Sequence, residues 1–118
     1  MKKLLICSIN QNLHDSLSSF LDSNFSIHCC FPSANPADTV KELKPDICFF
    51  DREVIVDSDI TMLSDIKDMK SDIHVVLAYF YYEAGKLPEN EISTMANDVI
   101  LKPYQFEKLI DKINSLAV

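Results

Sequence analysis

The residue best placed to do chemistry in this sequence is Asp51, a carboxylate that closes an apolar run. Pro45 precedes the run, and residues 47–50 are apolar without interruption. Such a run is typical of a strand buried on both faces in a parallel sheet. Asp51 then lies at the carboxyl end of that strand, where open α/β sheets bind their ligands. The alternative is that Asp51 only caps the following turn.

The elements that must position Asp51 alternate between strand and helix along the chain. Apolar residues at spacing 2 or in short runs predict strands at residues 3–9, 25–31, 45–51, 73–79 and 98–101. Apolar residues at helical spacing, with proline and N-cap signals, predict helices at residues 11–23, 36–44, 59–69, 88–95 and 105–116. Five alternations predict an α/β fold, a doubly wound parallel sheet with helices on both faces. We expect the flavodoxin-like strand order 2-1-3-4-5, counting the predicted strands along the chain.

Length and charge narrow the possible functions. The 118 residues suffice for one domain, which we place at residues 1–118. The net charge of −7 argues against a nucleic-acid surface, because phosphate contacts need lysine and arginine. No apolar run approaches the ~20 residues of a membrane span. The apolar start of the chain ends at Ser8 without a cleavage signal, so we expect a cytoplasmic protein.

The four cysteines all lie in apolar, strand-like runs without CxxC spacing. These are Cys7, Cys29, Cys30 and Cys48. This placement favours buried free thiols over disulfides or a zinc site.

The stretch at residues 96–104 carries the most specific resemblance to a known family. It reads Ala-Asn-Asp-Val-Ile-Leu-Lys-Pro-Tyr, and it resembles the Ala-Asp-Asp-Tyr-x-x-Lys-Pro-Phe stretch of two-component response regulator receiver domains. The resemblance covers nearly the whole chain. It implies that Asp51 is the counterpart of the phospho-acceptor and that Lys102 contacts the phosphoryl group. It also implies a cis peptide bond before Pro103, since cis bonds are essentially confined to X-Pro.

The departures from this family fall at the metal site. Receivers carry two acids after the first strand to hold Mg²⁺, and the matching positions here are Ser8 and Ile9. A hydroxyl is a poor substitute for a carboxylate on Mg²⁺, and isoleucine offers no ligand atom. Glu53 lies where a receiver supplies a backbone carbonyl to the metal. We therefore expect no resident metal or other cofactor and only weak Mg²⁺ binding.

The switch positions of the family are changed as well. Counting from Asp51 without gaps places Tyr79 at the position of the family's threonine or serine, or Ala78 or Phe80 if the register slips. Val99 matches the family's switch aromatic. A large ring thus replaces a small residue and a small residue replaces a ring, which predicts one packed state where the family has two.

These observations favour an atypical, stand-alone receiver domain that is not an enzyme and signals through protein contacts without phosphorylation. The expected partner surface is formed by the last two helices and the last strand, near Tyr81, Tyr82 and Tyr104, in a monomer or homodimer. On this interpretation Asp51 and Lys102 form a structural pair. The alternative is a regulator that accepts phosphate on Asp51 from a histidine kinase.

A flavodoxin-like electron carrier is a third interpretation. It requires a phosphate-binding loop rich in serine, threonine and glycine after the first strand. Residues 10–13 instead read Asn-Gln-Asn-Leu, which argues against it.

Overall fold

The computed structural model describes residues 1–30, 35–87 and 89–117, in which strands and helices alternate. The strands are β1 (Lys2–Cys7), β2 (Phe25–Cys30), β3 (Ile47–Asp51), β4 (Val54–Ile55), β5 (His74–Tyr79), β6 (Tyr81–Tyr82) and β7 (Asp98–Leu101). The helices are α1 (Gln11–Leu21), α2 (Pro36–Leu43), α3 (Asp57–Met69), α4 (Glu89–Met95) and α5 (Phe106–Asn114).

The predicted fold class is confirmed. Five parallel strands form one sheet in the order β2-β1-β3-β5-β7. Setting aside the two-residue strands, this is the flavodoxin-like order 2-1-3-4-5. The central strand β3 is buried at all five positions, as its uninterrupted apolar run predicts.

Two apolar layers cover the sheet, one on each face. Side chains alternate between faces along each strand. Cys48 and Phe50 therefore pack with α2, α3 and α4, whereas Ile47 and Phe49 pack with α1 and α5. By the same alternation, Asp51 lies on the α1 and α5 side.

Several predicted boundaries are wrong by one or two residues. The first strand ends at Cys7, because Asn10 caps α1 by accepting the Leu13 N–H at 3.3 Å, and the chain leaves the sheet before Ser8. Helix α3 begins earlier than predicted, at Asp57, where the Asp59 carboxylate accepts the Val56 N–H at 3.0 Å.

The remaining differences are at helix and strand ends. Strands β1, β3 and β5 begin at Lys2, Ile47 and His74, helices α1 and α2 end at Leu21 and Leu43, and α5 spans Phe106–Asn114. The predicted strand end at Phe31 and helix start at Pro88 lie outside the described residues.

A second, two-stranded parallel ladder was not predicted. Val54 pairs with Tyr81 and Ile55 with Tyr82, so β4 and β6 join the loop after β3 to the loop after β5. The Tyr82 hydroxyl also donates a hydrogen bond to the Asp57 carboxylate at the start of α3. The two loops that border Asp51 are thus hydrogen-bonded to each other.

The cysteine prediction holds at three of four positions. Cys7, Cys30 and Cys48 are buried free thiols, but Cys29 is partly exposed. It lies on β2, an edge strand of the sheet, so nothing in the sheet covers it on one side. Among the described residues, no helix is long and apolar enough to cross a membrane.

Candidate functional site

Asp51 is the last residue of β3, and it is 6% exposed at the carboxyl edge of the sheet. The Ser8 hydroxyl donates a 2.8 Å hydrogen bond to Oδ2. The Lys102 ammonium forms an ion pair with Oδ1. Both carboxylate oxygens are therefore engaged by groups of this chain. A buried carboxylate needs such partners, because the charge would otherwise be costly to remove from water.

Ser8 is held in place by its neighbours on both sides. Its Oγ accepts the Asn10 N–H at 3.0 Å, and its carbonyl oxygen accepts a 2.7 Å hydrogen bond from Nε2 of His14 on α1. Ser8 and His14 are 3% and 2% exposed. The hydroxyl, whose single proton goes to Asp51, thus has a fixed direction. Sequence reasoning missed His14, since a histidine six residues away in a helix gives no signal of this contact.

Lys102 follows β7, and its side chain is 13% exposed. Its N–H donates to the Tyr79 carbonyl at 2.9 Å, which continues the β5–β7 pairing by one residue. The ammonium lies 5.5 Å from the centroid of the Phe80 ring, within cation–π range. The Lys102–Pro103 peptide bond is cis.

Arg52 adds a second cation that sequence reasoning missed. Its guanidinium donates to the Asp51 carbonyl oxygen at 3.1 Å and lies 5.5 Å from the Phe50 ring centroid. Its Nε is 3.5 Å from the Asp59 carboxylate. Arg52 therefore fixes the backbone at the end of β3 and joins it to α3.

Tyr104 borders the site from the loop after β7. Burial, and then the negative charge of Asp51, raise the pKa of the Tyr104 phenol to about 12. Both effects disfavour the phenolate, so Tyr104 is neutral over the physiological range.

The residues present do not fit Mg²⁺. This ion prefers near-octahedral oxygen ligands, usually including one or two carboxylates. Asp51 already has both oxygens engaged, and Ile9 is 73% exposed at the position matching a family acid. The Glu53 carbonyl, a further family ligand, accepts the N–H groups of Phe80 at 3.0 Å and Tyr81 at 3.4 Å. Those two bonds use both of its lone pairs.

Within residues 1–30, 35–87 and 89–117, no three histidine, cysteine, aspartate or glutamate side chains are grouped so that they could hold a metal ion.

The proposed switch positions lie on the opposite face of the sheet from Asp51. Register pairs Asp51 with Ala78, so Tyr79 is one residue further along and points to the other side. Tyr79 is 8% exposed and belongs to the layer against which Val99 packs. Val99 pairs with Leu77, which makes Tyr79 its diagonal neighbour. The tyrosine ring thus occupies space in the layer shared with Val99.

The structure brings together three of the predicted site residues: Asp51, Lys102 and Ser8. It leaves Ile9 in solvent and places Tyr79 with Val99 in the core. A carboxylate held by an ammonium and a hydroxyl can stabilise the sheet edge. To act as a nucleophile toward a phosphoryl group, Asp51 would have to exchange these partners without a divalent cation to neutralise the incoming charge.

No protein-family model matches the chain, and no curated protein matches it. Solved structures do match, among them response regulator receiver domains aligned over nearly the whole chain. Their identities to this chain are 20% or lower, so the similarity shows the fold. The chain therefore has the fold of a CheY-like receiver domain.

Three structures illustrate this similarity. The signal receiver domain of a DNA-binding response regulator (MerR) from Colwellia psychrerythraea 34H is 20% identical, with a TM-score of 0.69 and 98% of each chain covered. HP1043, an orphan response regulator of H. pylori, is 18% identical, with a TM-score of 0.74 and 99% of this chain and 97% of that chain covered. A CheY-like receiver domain protein from Methanospirillum hungatei JF-1 is 14% identical, with a TM-score of 0.75 and coverages of 99% and 94%.

Proposed function

We propose that this chain is a receiver-fold signalling module that binds a protein partner and acts without phosphorylation of Asp51. The observation that carries the proposal is the closed environment of the carboxylate. Lys102 and Ser8 each take one oxygen. The carbonyl of Glu53 is engaged by two N–H groups, and no acid stands at Ser8 or Ile9.

The hydrogen bonds between the neighbouring loops support the same proposal. Phosphorylation can signal only if it shifts a population between two conformations. Here the β4–β6 ladder and the Tyr82–Asp57 hydrogen bond join the two loops that border the site. The Tyr79 ring is packed against core residues. These contacts favour one conformation of the partner surface.

We place the partner surface on α4, β7 and α5. Strand β7 is an edge strand, and Leu101 at its end is 62% exposed. Phe80 and Tyr81, in the segment that precedes α4, are 48% and 59% exposed. Exposed apolar and aromatic side chains in one region favour protein contact over solvent. The partner is a protein, either another signalling component or a second copy of the chain.

Phosphorylation can be tested directly with a small phosphodonor. Wild-type protein incubated with acetyl phosphate and Mg²⁺ should show no added phosphoryl group by intact-mass spectrometry. The matched control is the double variant Ser8→Asp with Ile9→Asp, which restores two acids and reports whether the assay detects a repaired site. Stoichiometric modification of the wild type that disappears in Asp51→Asn would overturn the proposal.

The partner surface needs a separate test. Leu101→Lys should weaken self-association in sedimentation velocity if the partner is a second copy, whereas Met69→Lys, at an exposed apolar residue at the end of α3, should not. If the wild type is monomeric, the same two variants are compared with it by the yield of cross-linking to the partner in cells. Equal loss in both variants would argue against the α4, β7 and α5 surface.

A phosphorylatable regulator fed by a histidine kinase is the second candidate function. The retained Asp51–Lys102 pair favours it, because a nucleophilic carboxylate and a phosphoryl-contacting ammonium are both in place. On this candidate, phosphorylation would have to proceed with an unusual metal requirement. The acetyl phosphate experiment distinguishes the two candidates.

A further inference from the structure

A groove lies between the carboxyl-terminal ends of α2 and α3, which pack side by side on one face of the sheet. Its volume is about 340 Å³, and it is lined by Val40, Lys41, Lys44, Met69 and Lys70. Helices in this fold run opposite to the strands they connect. The groove is therefore at the amino edge of the sheet, the end opposite to Asp51.

The floor and one wall of the groove are apolar. Val40 is 2% exposed and belongs to the core, while Met69 is 46% exposed although its side chain is large and apolar. The Lys70 side chain is 21% exposed, so its methylene stem is largely covered. Methionine adapts to ligands of different shape because its side chain is unbranched and flexible. The groove can thus cover the apolar body of a small molecule.

The rim of the groove is positively charged although the chain carries a net charge of −7. Three of the five lining residues are lysines, and none is acidic. The Lys70 ammonium is bonded to Asp72 at 3.0 Å. Lys41 and Lys44 are exposed, and neither ammonium has an ion-pair or hydrogen-bond partner within the part of the chain that the structure describes. Two ammonium groups are therefore free to bind an anion.

A simpler role for these lysines would be to neutralise the negative ends of the two helices. At the end of α2 the Lys3 ammonium already does this, because it donates to the Leu43 carbonyl at 3.0 Å. The Lys44 and Lys70 backbone N–H groups close the last turns of α2 and α3. The Lys41 and Lys44 ammonium groups take no part in these bonds.

We propose that this groove binds a small organic anion with an apolar body, namely a medium-chain or aromatic monocarboxylate. The apolar body lies along Val40 and Met69, and the carboxylate lies between the Lys41 and Lys44 ammonium groups. The volume is at the lower end of the ~300–1,000 Å³ typical of ligand pockets. This site goes beyond the proposed signalling function and does not involve Asp51.

The probe is sodium octanoate, titrated below its micellar concentration into ¹⁵N-labelled full chain and followed by amide NMR shifts. Saturable shifts should cluster at residues 40–44 and 69–70. Acetate has the carboxylate without the long alkyl chain, and it should bind more than ~10-fold more weakly than octanoate, because buried methylene groups supply most of the affinity. Octanol has the alkyl chain without the charge, and it should bind about 3- to 10-fold more weakly than octanoate.

Variants separate the groove from general attraction to a cationic surface. Lys41→Gln with Lys44→Gln should weaken octanoate binding about 3- to 10-fold and leave octanol binding unchanged. The matched control is Lys86→Gln with Lys108→Gln, which removes two exposed lysines elsewhere and should leave octanoate binding unchanged. Met69→Gln should weaken both ligands.

Three outcomes would overturn the proposal: equal binding of octanol and octanoate, equal loss in both lysine pairs, or shifts spread over other surfaces. Asp51→Asn should leave octanoate binding unchanged. The groove and the phosphorylation-independent function can therefore fail separately.

Discussion

The Ser8 hydroxyl donates a 2.8 Å hydrogen bond to Oδ2 of Asp51, the oxygen that does not pair with Lys102. At a position where receiver domains carry an acid, this chain thus has a donor to the carboxylate instead of a second negative charge. The exchange turns a repulsive pair into an attractive one. Both oxygens of the Asp51 carboxylate are thus contacted by groups of this chain.

The buried ion pair predicts that Lys102→Met is strongly destabilising. The change leaves Asp51 buried with one partner, and breaking such pairs costs roughly 3–5 kcal/mol when both groups are fully buried. Lys102 retains some solvent contact, so we expect a loss of about 2–3 kcal/mol in the free energy of unfolding, measured in urea. Ser8→Ala should cost about 1 kcal/mol. Lys108→Met, at an exposed position, is the control, and a loss there equal to that of Lys102→Met would contradict the argument.

The fold could be predicted because its signals are local and repeated. The apolar run before Asp51 predicts β3, and the amphipathic stripe of residues 105–116 predicts α5. The alternation of strands and helices along the chain then predicts a parallel sheet. Register then brings Asp51 and Lys102 to the same edge. Such relationships depend on backbone topology, which periodicity reports well.

The rest of the site depends on contacts that periodicity does not report. The bond from His14 to the Ser8 carbonyl, the position of Arg52 and the two N–H groups on the Glu53 carbonyl all need three-dimensional coordinates. The β4–β6 ladder is also invisible in sequence, because each strand has only two residues. Cys29 was predicted to be buried because its run is apolar, yet an edge strand leaves it partly exposed.

The engaged Glu53 carbonyl predicts that restoring the acids repairs Mg²⁺ binding only in part. Low millimolar Mg²⁺ should leave the amide chemical shifts near Asp51 unchanged in the wild type. Ser8→Asp with Ile9→Asp should bind Mg²⁺, but weakly. The Phe80 and Tyr81 N–H groups still occupy the Glu53 carbonyl, which would be a further ligand of the ion. Ca²⁺ added to the same variant shows whether any binding reflects charge alone. Strong wild-type shifts around Asp51 would contradict the prediction.

Partial exposure predicts that Cys29 is the first thiol to react with iodoacetamide. Burial, and to a smaller extent the charge of Asp15, raise the pKa of the Cys29 thiol, so its alkylation should be slow at neutral pH and accelerate as the pH rises. Cys7, Cys30 and Cys48 should react only in denaturant, since they are at most 4% exposed. Peptide mapping by mass spectrometry identifies the sites. Labelling of Cys48 before Cys29 in native protein would contradict the strand assignment.

The raised pKa of Tyr104 predicts a loss of stability at alkaline pH. Its pKa is raised from 10.0 to about 12 in the folded protein, so the folded state holds the phenolic proton more tightly than the unfolded state. This contribution to stability is present below pH 10 and is lost as the pH rises from about 10 to about 12. The free energy of unfolding, measured in urea, should fall less steeply across that pH window for Tyr104→Phe than for the wild type. Tyr81→Phe, at an exposed position, is the control and should follow the wild type.

The diagonal contact of Tyr79 and Val99 predicts that the two positions have exchanged volume. Tyr79→Thr alone should lower the free energy of unfolding by about 2–4 kcal/mol, because a cavity forms in a packed layer. Val99→Tyr alone should lower it by about 1–3 kcal/mol through overpacking. If the two rings would occupy the same space, the double variant should lose at least ~1 kcal/mol less than the sum of the single losses.

The same double variant tests the switch. Beryllofluoride, a phosphoryl mimic, should leave the amide shifts of α4, β7 and α5 unchanged in the wild type, because we expect the Tyr79 ring to permit only one packed state. Combining Tyr79→Thr and Val99→Tyr with the two restored acids at Ser8 and Ile9 should give a response on that surface. Tyr82→Phe, added to this variant, removes the Asp57 hydrogen bond and should enlarge the response. A wild-type response to beryllofluoride that Asp51→Asn abolishes would contradict both the single packed state and the independence from phosphorylation.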